Sequence, residues 1–258
     1  ALSITKEKNV TVRSGTKTIG YSAFQRCSNL ESITLNNELV SIADQAFWHT
    51  NLKGVYIPAS VTFIGPRAFY DLNMESFVID PANPNYTSDD RFVYNKNKTE
   101  IITYYKAESS VEIPEGIEKI GSMAFHNKNM IKNITIPNTV KEIGQSFGYC
   151  SGLTSINLSN CISLTSIGNY AFYNCSGLTN IDLSDCISII NIGDSVFEEC
   201  LGLTTITFPS SLTSIGNYAF YNCSGLISIS LSSSITSIEA TTFFGCTNLT
   251  EVIIDSEY

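Results

Sequence analysis

Pairs of apolar residues separated by one residue recur along the whole chain. This alternation is the period-2 signature of a β-strand that buries one face. Successive pairs lie 22–25 residues apart except across one longer interval, which predicts one strand per coil of a repeating fold. The eleven predicted strand pairs are Val10/Val12, Ile33/Leu35, Val55/Ile57, Phe77/Ile79, Val111/Ile113, Ile134/Ile136, Ile156/Leu158, Ile181/Leu183, Ile206/Phe208, Ile229/Leu231 and Val252/Ile254.

A second landmark, an isoleucine that glycine usually follows, lies between these strands. It recurs at positions 19, 42, 64, 120, 143, 167, 192, 215 and 238, and the segment 167–178 is repeated without change at 215–226. A phenylalanine stands five residues after each isoleucine, except that Phe147 stands four after its own, which a single deletion explains. The landmark predicts a short strand or turn on the return side, with glycine at a corner that needs positive φ or close backbone approach. One coil buries too little apolar surface to fold alone, so neighbours must stack.

The repeat I-G-x-x-A-F-x-x-C-x-x-L-x-x-I-x-L resembles the BspA-like leucine-rich repeats of bacterial surface proteins, over essentially the whole chain. The resemblance implies an α/β-class leucine-rich repeat solenoid that is mostly β. It would be a right-handed curved superhelix with one parallel sheet of about eleven rungs. It also implies a secreted or cell-surface location, frequent use in adhesion, and no enzymatic activity. We therefore expect one solenoid domain over 1–258.

The longer interval predicts an irregular insert at about 80–110. Residues 91–94 and 100–105 flank the polar link 95–99, a pattern that favours a β-hairpin. Members of the resembled family usually have Asp-Gly where this chain has Asp90-Arg91. Two interpretations remain open: a variant repeat that pads the stack, or a hairpin protruding from the solenoid edge as a binding outcrop that exposes Arg91 and Tyr94.

The eight cysteines follow the repeat, so their even number does not indicate pairing. Such a cysteine behaves as a small apolar residue at the inner corner of a coil, although adjacent coils would allow a bridge. We expect free, buried thiols and no zinc site, because C-x-x-C is absent and His49 and His126 lie in other repeats. The motif Gly148-Tyr-Cys150-Ser-Gly152 resembles a nucleophile elbow but has no histidine after it in sequence, which argues against catalysis. No cofactor is expected.

Two surfaces could contact a ligand. The first is the open face of the strands, which is small, polar and nearly uncharged, with Tyr56 as its main aromatic residue. The second is a stripe of tyrosines three and six residues after the repeat isoleucine, whose rings either cover joints between coils or form an exposed aromatic ledge. The candidate contacts are Tyr56, Asn133, Asn157, Asn180 and Asp182 on the open face and Tyr170, Tyr173, Tyr218 and Tyr221 in the stripe.

The distribution of charge along the chain argues against some classes of partner. The formal net charge is −9, and no lysine or arginine follows Lys141, so the imbalance lies in the C-terminal half. Such a surface repels phosphate, which argues against nucleic acid and anionic membranes. No apolar run is long enough to span a bilayer, and the start at Ala1 lacks the layout of a signal peptide, so any leader has been removed.

Two functions remain open: a recognition or adhesion module that binds an extracellular protein or glycan, and a structural spacer that projects other domains. The chain starts partway through a coil and ends just after Ile254, without a polar cap. We therefore expect a fragment of a longer protein, or ends that associate with another copy.

Overall fold

The structure, a computed structural model, describes residues 6–255, so the expectation for Ala1 lies outside the described residues. The described residues form strands and turns and contain no helix, which confirms the mostly β prediction. The chain divides into two compact units, 1–107 and 108–258. The boundary falls between the tenth and eleventh strands. One solenoid domain over 1–258 stays a prediction, as does the right-handed curve.

Unit 1 has four front strands that pair in parallel in the order β1-β3-β5-β7, and three return strands in the order β2-β4-β6. The front strands are β1 (Asn9–Thr11), β3 (Ser32–Thr34), β5 (Gly54–Ile57) and β7 (Ser76–Ile79), and the return strands are β2 (Thr18–Ile19), β4 (Ser41–Ile42) and β6 (Phe63–Ile64). Each front strand contains the first residue of a predicted pair, and each return strand ends on a repeat isoleucine.

Unit 2 repeats this arrangement. Its front strands are β11 (Ser110–Glu112), β13 (Asn133–Thr135), β15 (Ser155–Asn157), β17 (Asn180–Asp182), β19 (Thr205–Thr207), β21 (Ser228–Ser232) and β23 (Glu251–Asp255). Its return strands are β12 (Lys119–Ile120), β14 (Glu142–Ile143), β16 (Ser166–Ile167), β18 (Asn191–Ile192), β20 (Ser214–Ile215) and β22 (Ser237–Ile238). All eleven predicted front strands are therefore present.

The front strands of unit 2 do not form one continuous sheet. They form three, β11-β13-β15, β17-β19 and β21-β23. The bonds between coils are longer at the two breaks: Thr179 N lies 3.4 Å from Thr154 O and Ile227 N lies 3.4 Å from Thr204 O. Within the second sheet, the corresponding bond from Thr204 N to Thr179 O is 2.9 Å. The predicted sheet is thus interrupted where the ladder stretches.

Stacked phenylalanines form the centre of each unit. Phe24, Phe47 and Phe69 stack in unit 1 with ring centroids 5.3 and 5.1 Å apart. The stack of unit 2 has centroid separations of 5.0–5.5 Å and consists of Phe125, Phe147, Phe172, Phe197, Phe220 and Phe243. Phe147 keeps its place in the stack despite the one-residue deletion.

The repeat glycine serves close approach between coils. A Cβ on Gly216 would lie 2.6 Å from Asp194 Oδ1 and 2.9 Å from the carbonyl carbon of Gly193. The positive-φ glycines are instead Gly15, Gly116 and Gly245 among the described residues. Of the two reasons predicted for the repeat glycine, close approach applies at Gly65, Gly193 and Gly216, whereas nothing lies within 4 Å of a Cβ on Gly20.

The insert contains three antiparallel strands. Strands β9 (Phe92–Asn95) and β10 (Glu100–Tyr104) form the predicted hairpin, and β8 (Tyr86–Ser88) pairs with the other side of β9. A protruding hairpin is wrong, because Phe92, Val93 and Ile101 are fully buried. The alternative of a variant repeat within the stack describes the insert better.

Candidate functional site

The open strand face is exposed, and its side chains bond largely to one another. Tyr56 is 49% exposed, and its hydroxyl donates to Asp80 Oδ2 at 2.7 Å. Ser155 Oγ donates to Asn133 Oδ1 at 2.7 Å on the neighbouring strand. Asn180 is also exposed on this face. These side chains lie along successive strands, and much of their bonding capacity is used within the fold.

A small depression of about 70 Å³ lies beside the open face, between two neighbouring coils of unit 2. Asn157, Asp182 and Asp185 contribute its polar side chains. Asn157 and Asp182 each accept a bond from the backbone amide two residues later, at 3.0 Å. The carboxylate of Asp185 accepts from Asn160 N at 2.9 Å. These bonds shape the turns after the strands, and the volume is too small for most ligands.

One of the two ligand contacts predicted in the insert is buried. Tyr94 is 2% exposed, and its hydroxyl donates to Asp89 Oδ2 at 2.6 Å. Burial, together with this bond, raises the pKa of Tyr94 above its ordinary value. A ligand cannot reach this ring, so Tyr94 is removed from the candidates. Arg91 is half-buried, with its guanidinium 5.3 Å from the ring centroid of Phe92.

Asp89 organises the turn that lacks the expected glycine. Its Oδ1 accepts bonds from the backbone amides of Arg91 at 2.9 Å and Phe92 at 2.7 Å. Burial alone would raise the pKa of Asp89, but these bonds and the one from Tyr94 leave it below its ordinary value. A side-chain acceptor therefore stabilises this turn where the resembled family usually has glycine.

The tyrosine stripe lies at a corner that the backbone builds with unusual regularity. The residue three after the repeat isoleucine has positive φ in successive coils, 59° at Tyr170, 57° at Ser195 and 57° at Tyr218. Amides of this segment donate to the next coil, for example Phe172 N to Val196 O at 2.9 Å. These bonds hold equivalent positions of neighbouring coils side by side.

Four tyrosines of this corner form two pairs, and the two rings of each pair meet edge to face. Tyr170 and Tyr173 have ring centroids 5.9 Å apart at 68°, and Tyr218 and Tyr221 have centroids 5.5 Å apart at 72°. The coil between them carries Ser195 and Glu198 at the same two repeat positions. All six residues line one groove of about 510 Å³. We call this site the tyrosine notch: Tyr170, Tyr173, Ser195, Glu198, Tyr218 and Tyr221.

The notch continues toward the preceding coil. Tyr149 and Gln145 also line the groove, and the Tyr149 ring is 5.1 Å from that of Tyr173 at 66°. Burial, the hydrogen bond with Tyr149 and the nearby carboxylates raise the pKa of Tyr173 to about 12. Tyr173 therefore stays neutral at physiological pH. The stripe was predicted either to cover joints between coils or to form an exposed ledge, and its tyrosines divide between these roles. Tyr170 and Tyr218 are 43% and 44% exposed, whereas Tyr173 and Tyr221 are half-buried.

Glu198 is the site residue that the sequence interpretation did not include. In the sequence it is one of two adjacent glutamates, Glu198 and Glu199, a pattern that fits a solvated loop. Its position six residues after Ile192 is, however, the position of Tyr173 and Tyr221 in the flanking coils. Aligning the coils by their repeat isoleucine would have placed this carboxylate between the tyrosine pairs.

The cysteines form a ladder of thiol hydrogen bonds instead of a metal site. Cys175, Cys200 and Cys223 each donate to the carbonyl oxygen of a phenylalanine in an earlier coil, at 3.0–3.1 Å. All eight cysteines are free thiols, and seven of them are buried as predicted, whereas Cys246 is half-buried. No cluster of three metal-binding side chains occurs within residues 6–255.

The elbow-like motif does not present a reactive thiol. The structure does bring His126 beside it: the His126 ring is 5.1 Å from that of Tyr149. The thiol of Cys150, however, is buried and donates to Phe125 O at 3.0 Å. Burial raises the pKa of Cys150 to about 12. A thiol that stays protonated at neutral pH is not the thiolate that nucleophilic catalysis requires.

Comparison with known proteins agrees with this architecture. A family model described as a BspA type leucine rich repeat region matches residues 2–109, 102–191 and 165–258. No curated protein matches the chain. The described residues also contain no helix of the length and apolarity that crossing a bilayer demands.

Several solved structures share the fold. A leucine rich cell surface protein from Faecalibacterium prausnitzii is 27% identical with a TM-score of 0.67, and the match covers 97% of this chain and 60% of that one. The chain thus spans less than two thirds of that relative's length. The pneumococcal vaccine antigen PcpA, at 20% identity, has a TM-score of 0.73 over 97% of this chain and 68% of that one. A leucine-rich repeat protein from Eubacterium ventriosum, at 24% identity, has a TM-score of 0.64 over 97% and 84%. The last two show similarity of fold alone.

Proposed function

The chain belongs to the BspA-type leucine-rich repeat family, and we propose that it is a non-enzymatic recognition module of the bacterial cell surface or its surroundings. Its binding site is the tyrosine notch, and its partner is an extracellular protein or glycan. The similar protein from Faecalibacterium prausnitzii is described as a cell surface protein, which supports this location.

The notch is the observation that carries the proposal. Aromatic side chains are enriched where proteins bind partners, because each supplies a large and rigid contact area. Other exposed aromatics such as Tyr21 and Phe63 do not line this groove, whereas Tyr170 and Tyr218 keep over two fifths of their surface exposed beside it. A carboxylate inside the groove adds a polar contact that fixes orientation.

The second candidate function is a structural spacer that presents other domains. The open strand face supports it, because its small polar side chains bond to one another across coils, as Ser32 does to Asn9 at 2.6 Å. A spacer needs only such a self-satisfied surface. The spacer function does not explain why exposed tyrosines surround a groove.

A binding panel tests the proposal. The 258-residue chain is tested against extracellular-matrix proteins and a glycan array, together with the double variant Tyr170→Ala/Tyr218→Ala. The matched control is Tyr21→Ala, which removes a 66% exposed tyrosine of unit 1. We expect a partner whose binding the double variant loses and the control keeps. Silence across both panels, or binding that the double variant retains in full, would contradict the proposal. Circular dichroism of each variant checks that the fold is kept.

A further inference from the structure

The middle coil of the tyrosine notch departs from the repeat at the positions that shape the site. The flanking coils are identical over twelve residues and place tyrosine three and six residues after the isoleucine. The middle coil has Ser195 and Glu198 there instead. A small residue and a carboxylate therefore replace two rings, which opens a gap between the tyrosine pairs and places one negative charge in it.

The size of the gap follows from the phenylalanine stack behind it. Phe172 to Phe197 is 5.5 Å and Phe197 to Phe220 is 5.3 Å between ring centroids. The two flanking coils are thus separated by roughly two strand spacings, ~10–11 Å. That width admits one side chain or one small ligand group between the tyrosine pairs.

The charge inside the gap lacks a counter-ion. The carboxylate of Glu198 makes no hydrogen bond or salt bridge within the described part of the chain, whereas Glu199 accepts a bond from Asn222 Nδ2 at 2.8 Å. No lysine or arginine follows Lys141 in the sequence, so no basic side chain from the three coils of the notch can neutralise it. Carboxylates and tyrosine ring faces both attract cations.

We propose that the tyrosine notch binds the side-chain cation of a lysine or arginine that a partner protein presents. This inference rests on the recognition function proposed above and names the chemistry of its partner. The cation would lie between Tyr170/Tyr173 and Tyr218/Tyr221, against Glu198. The acidic C-terminal half of the chain would attract a basic partner over a longer range.

The ring geometry favours a cation over a sugar. A sugar ring stacks on an open, flat aromatic face. Within each tyrosine pair the rings instead meet at 68° and 72°, which forms a corner with two walls. Two such corners around a carboxylate resemble the aromatic cages that hold organic cations.

Titration of the whole chain, with tyrosine rings labelled for NMR, tests the proposal. The probes are the peptide acetyl-Gly-Lys-Gly-Gly-Lys-Gly-amide, its glutamate counterpart, tetramethylammonium chloride and cellohexaose. We expect the lysine peptide to shift the ring signals of the notch and the glutamate peptide to leave them in place. Glu198→Gln should weaken the lysine peptide about tenfold, because the half-buried carboxylate attracts a cation more strongly than a fully solvated one would. Its control Glu239→Gln, an exposed carboxylate outside the notch, should change affinity less than about twofold.

The outcomes separate this inference from the function on which it rests. If cellohexaose shifts the ring signals of the notch and the lysine peptide does not, the proposed cation binding is wrong but the recognition function still stands. Shifts with tetramethylammonium alone would overturn a protein side chain as the source of the cation. Equal binding of the lysine peptide by Glu198→Gln and Glu239→Gln would overturn the role of Glu198. Loss of the proposed function itself would appear as silence of the matrix-protein and glycan panels.

Discussion

The thiol of Cys200 donates a hydrogen bond to the carbonyl oxygen of Phe172, with 3.1 Å between the two atoms. The two residues are 28 positions apart, and each belongs to a column that runs through the coils of unit 2. The cysteine therefore does more than fill space: Phe172 O already accepts from Cys175 N at 3.1 Å, and the thiol supplies a second donor to it from the next coil.

Replacing this thiol should destabilise the fold. Cys200→Ala removes the thiol's hydrogen bond to Phe172 O, although the backbone bond from Cys175 N remains, and it leaves a small void in a fully buried position. Together these losses should lower the free energy of unfolding by about 1–3 kcal/mol. Urea unfolding followed by circular dichroism measures the change. Cys246→Ala is the control, because this cysteine is only half-buried, and its effect should be smaller. Equal unfolding midpoints for wild type and Cys200→Ala would contradict a stabilising bond.

Buried thiols should make the fold sensitive to alkaline pH. Burial raises the pKa of Cys150 and Cys200 to about 12 from an ordinary 9.0. The folded state holds these protons more tightly than the unfolded state, so the stabilisation is complete below pH 9 and is lost as the pH rises through 12. Urea unfolding between pH 7 and pH 11 should show a decline that begins near pH 9. The double variant Cys150→Ala/Cys200→Ala should decline less steeply, and an equal slope would rule out the thiols as the cause.

The phenylalanine stack should tolerate truncation poorly. Phe197 is fully buried between two stacked rings, so Phe197→Ala should lower the free energy of unfolding by about 3–5 kcal/mol. Phe244→Ala is the control, because this ring is 64% exposed, and it should cost less than about 1 kcal/mol. Differential scanning calorimetry measures both. Similar melting temperatures for the two variants would contradict the dominance of the stack.

Close contact between coils should exclude a side chain at Gly202. A Cβ there would lie 2.6 Å from the carbonyl oxygen of Ser176 in the preceding coil. Gly202→Ala should therefore shift the backbone and lower the free energy of unfolding by about 1–3 kcal/mol. Gly20→Ala, where nothing lies within 4 Å of the new carbon, should be neutral or slightly stabilising. Chemical denaturation of both variants measures the change in the free energy of unfolding. An unchanged value for Gly202→Ala would show that the coils can separate at this point.

The repeat made most of the fold predictable. Val111 and Ile134 occupy the same position in adjacent coils, and the structure pairs them in register on β11 and β13. The same spacing predicted the return strands, because Ile143 and Ile167 also pair directly. Such prediction works because each coil presents the same apolar positions to its neighbours, so one register satisfies all of them.

The insert was harder to interpret. Its hairpin follows from the alternation around the polar link, but its burial does not. Tyr94 is buried together with Asp89, which accepts the hydrogen bond of its hydroxyl. Asp89 lies across a turn that no local sequence pattern specifies. An apolar strand with polar ends is compatible with a protruding hairpin and with a packed coil.

The sequence by itself determined the coil period, the strands on both sides of each coil, the repeat position of the cysteines and the acidic C-terminal half. These features depend on spacing and composition, which a repeat expresses along the chain. Only the tertiary structure decided that the rings of the tyrosine pairs meet at steep angles beside an open groove, that Tyr94 is buried, and that the thiols donate to phenylalanine carbonyls. Each of these depends on which side chains meet between coils or across a turn, and stacking brings together residues about 25 positions apart that no local pattern connects.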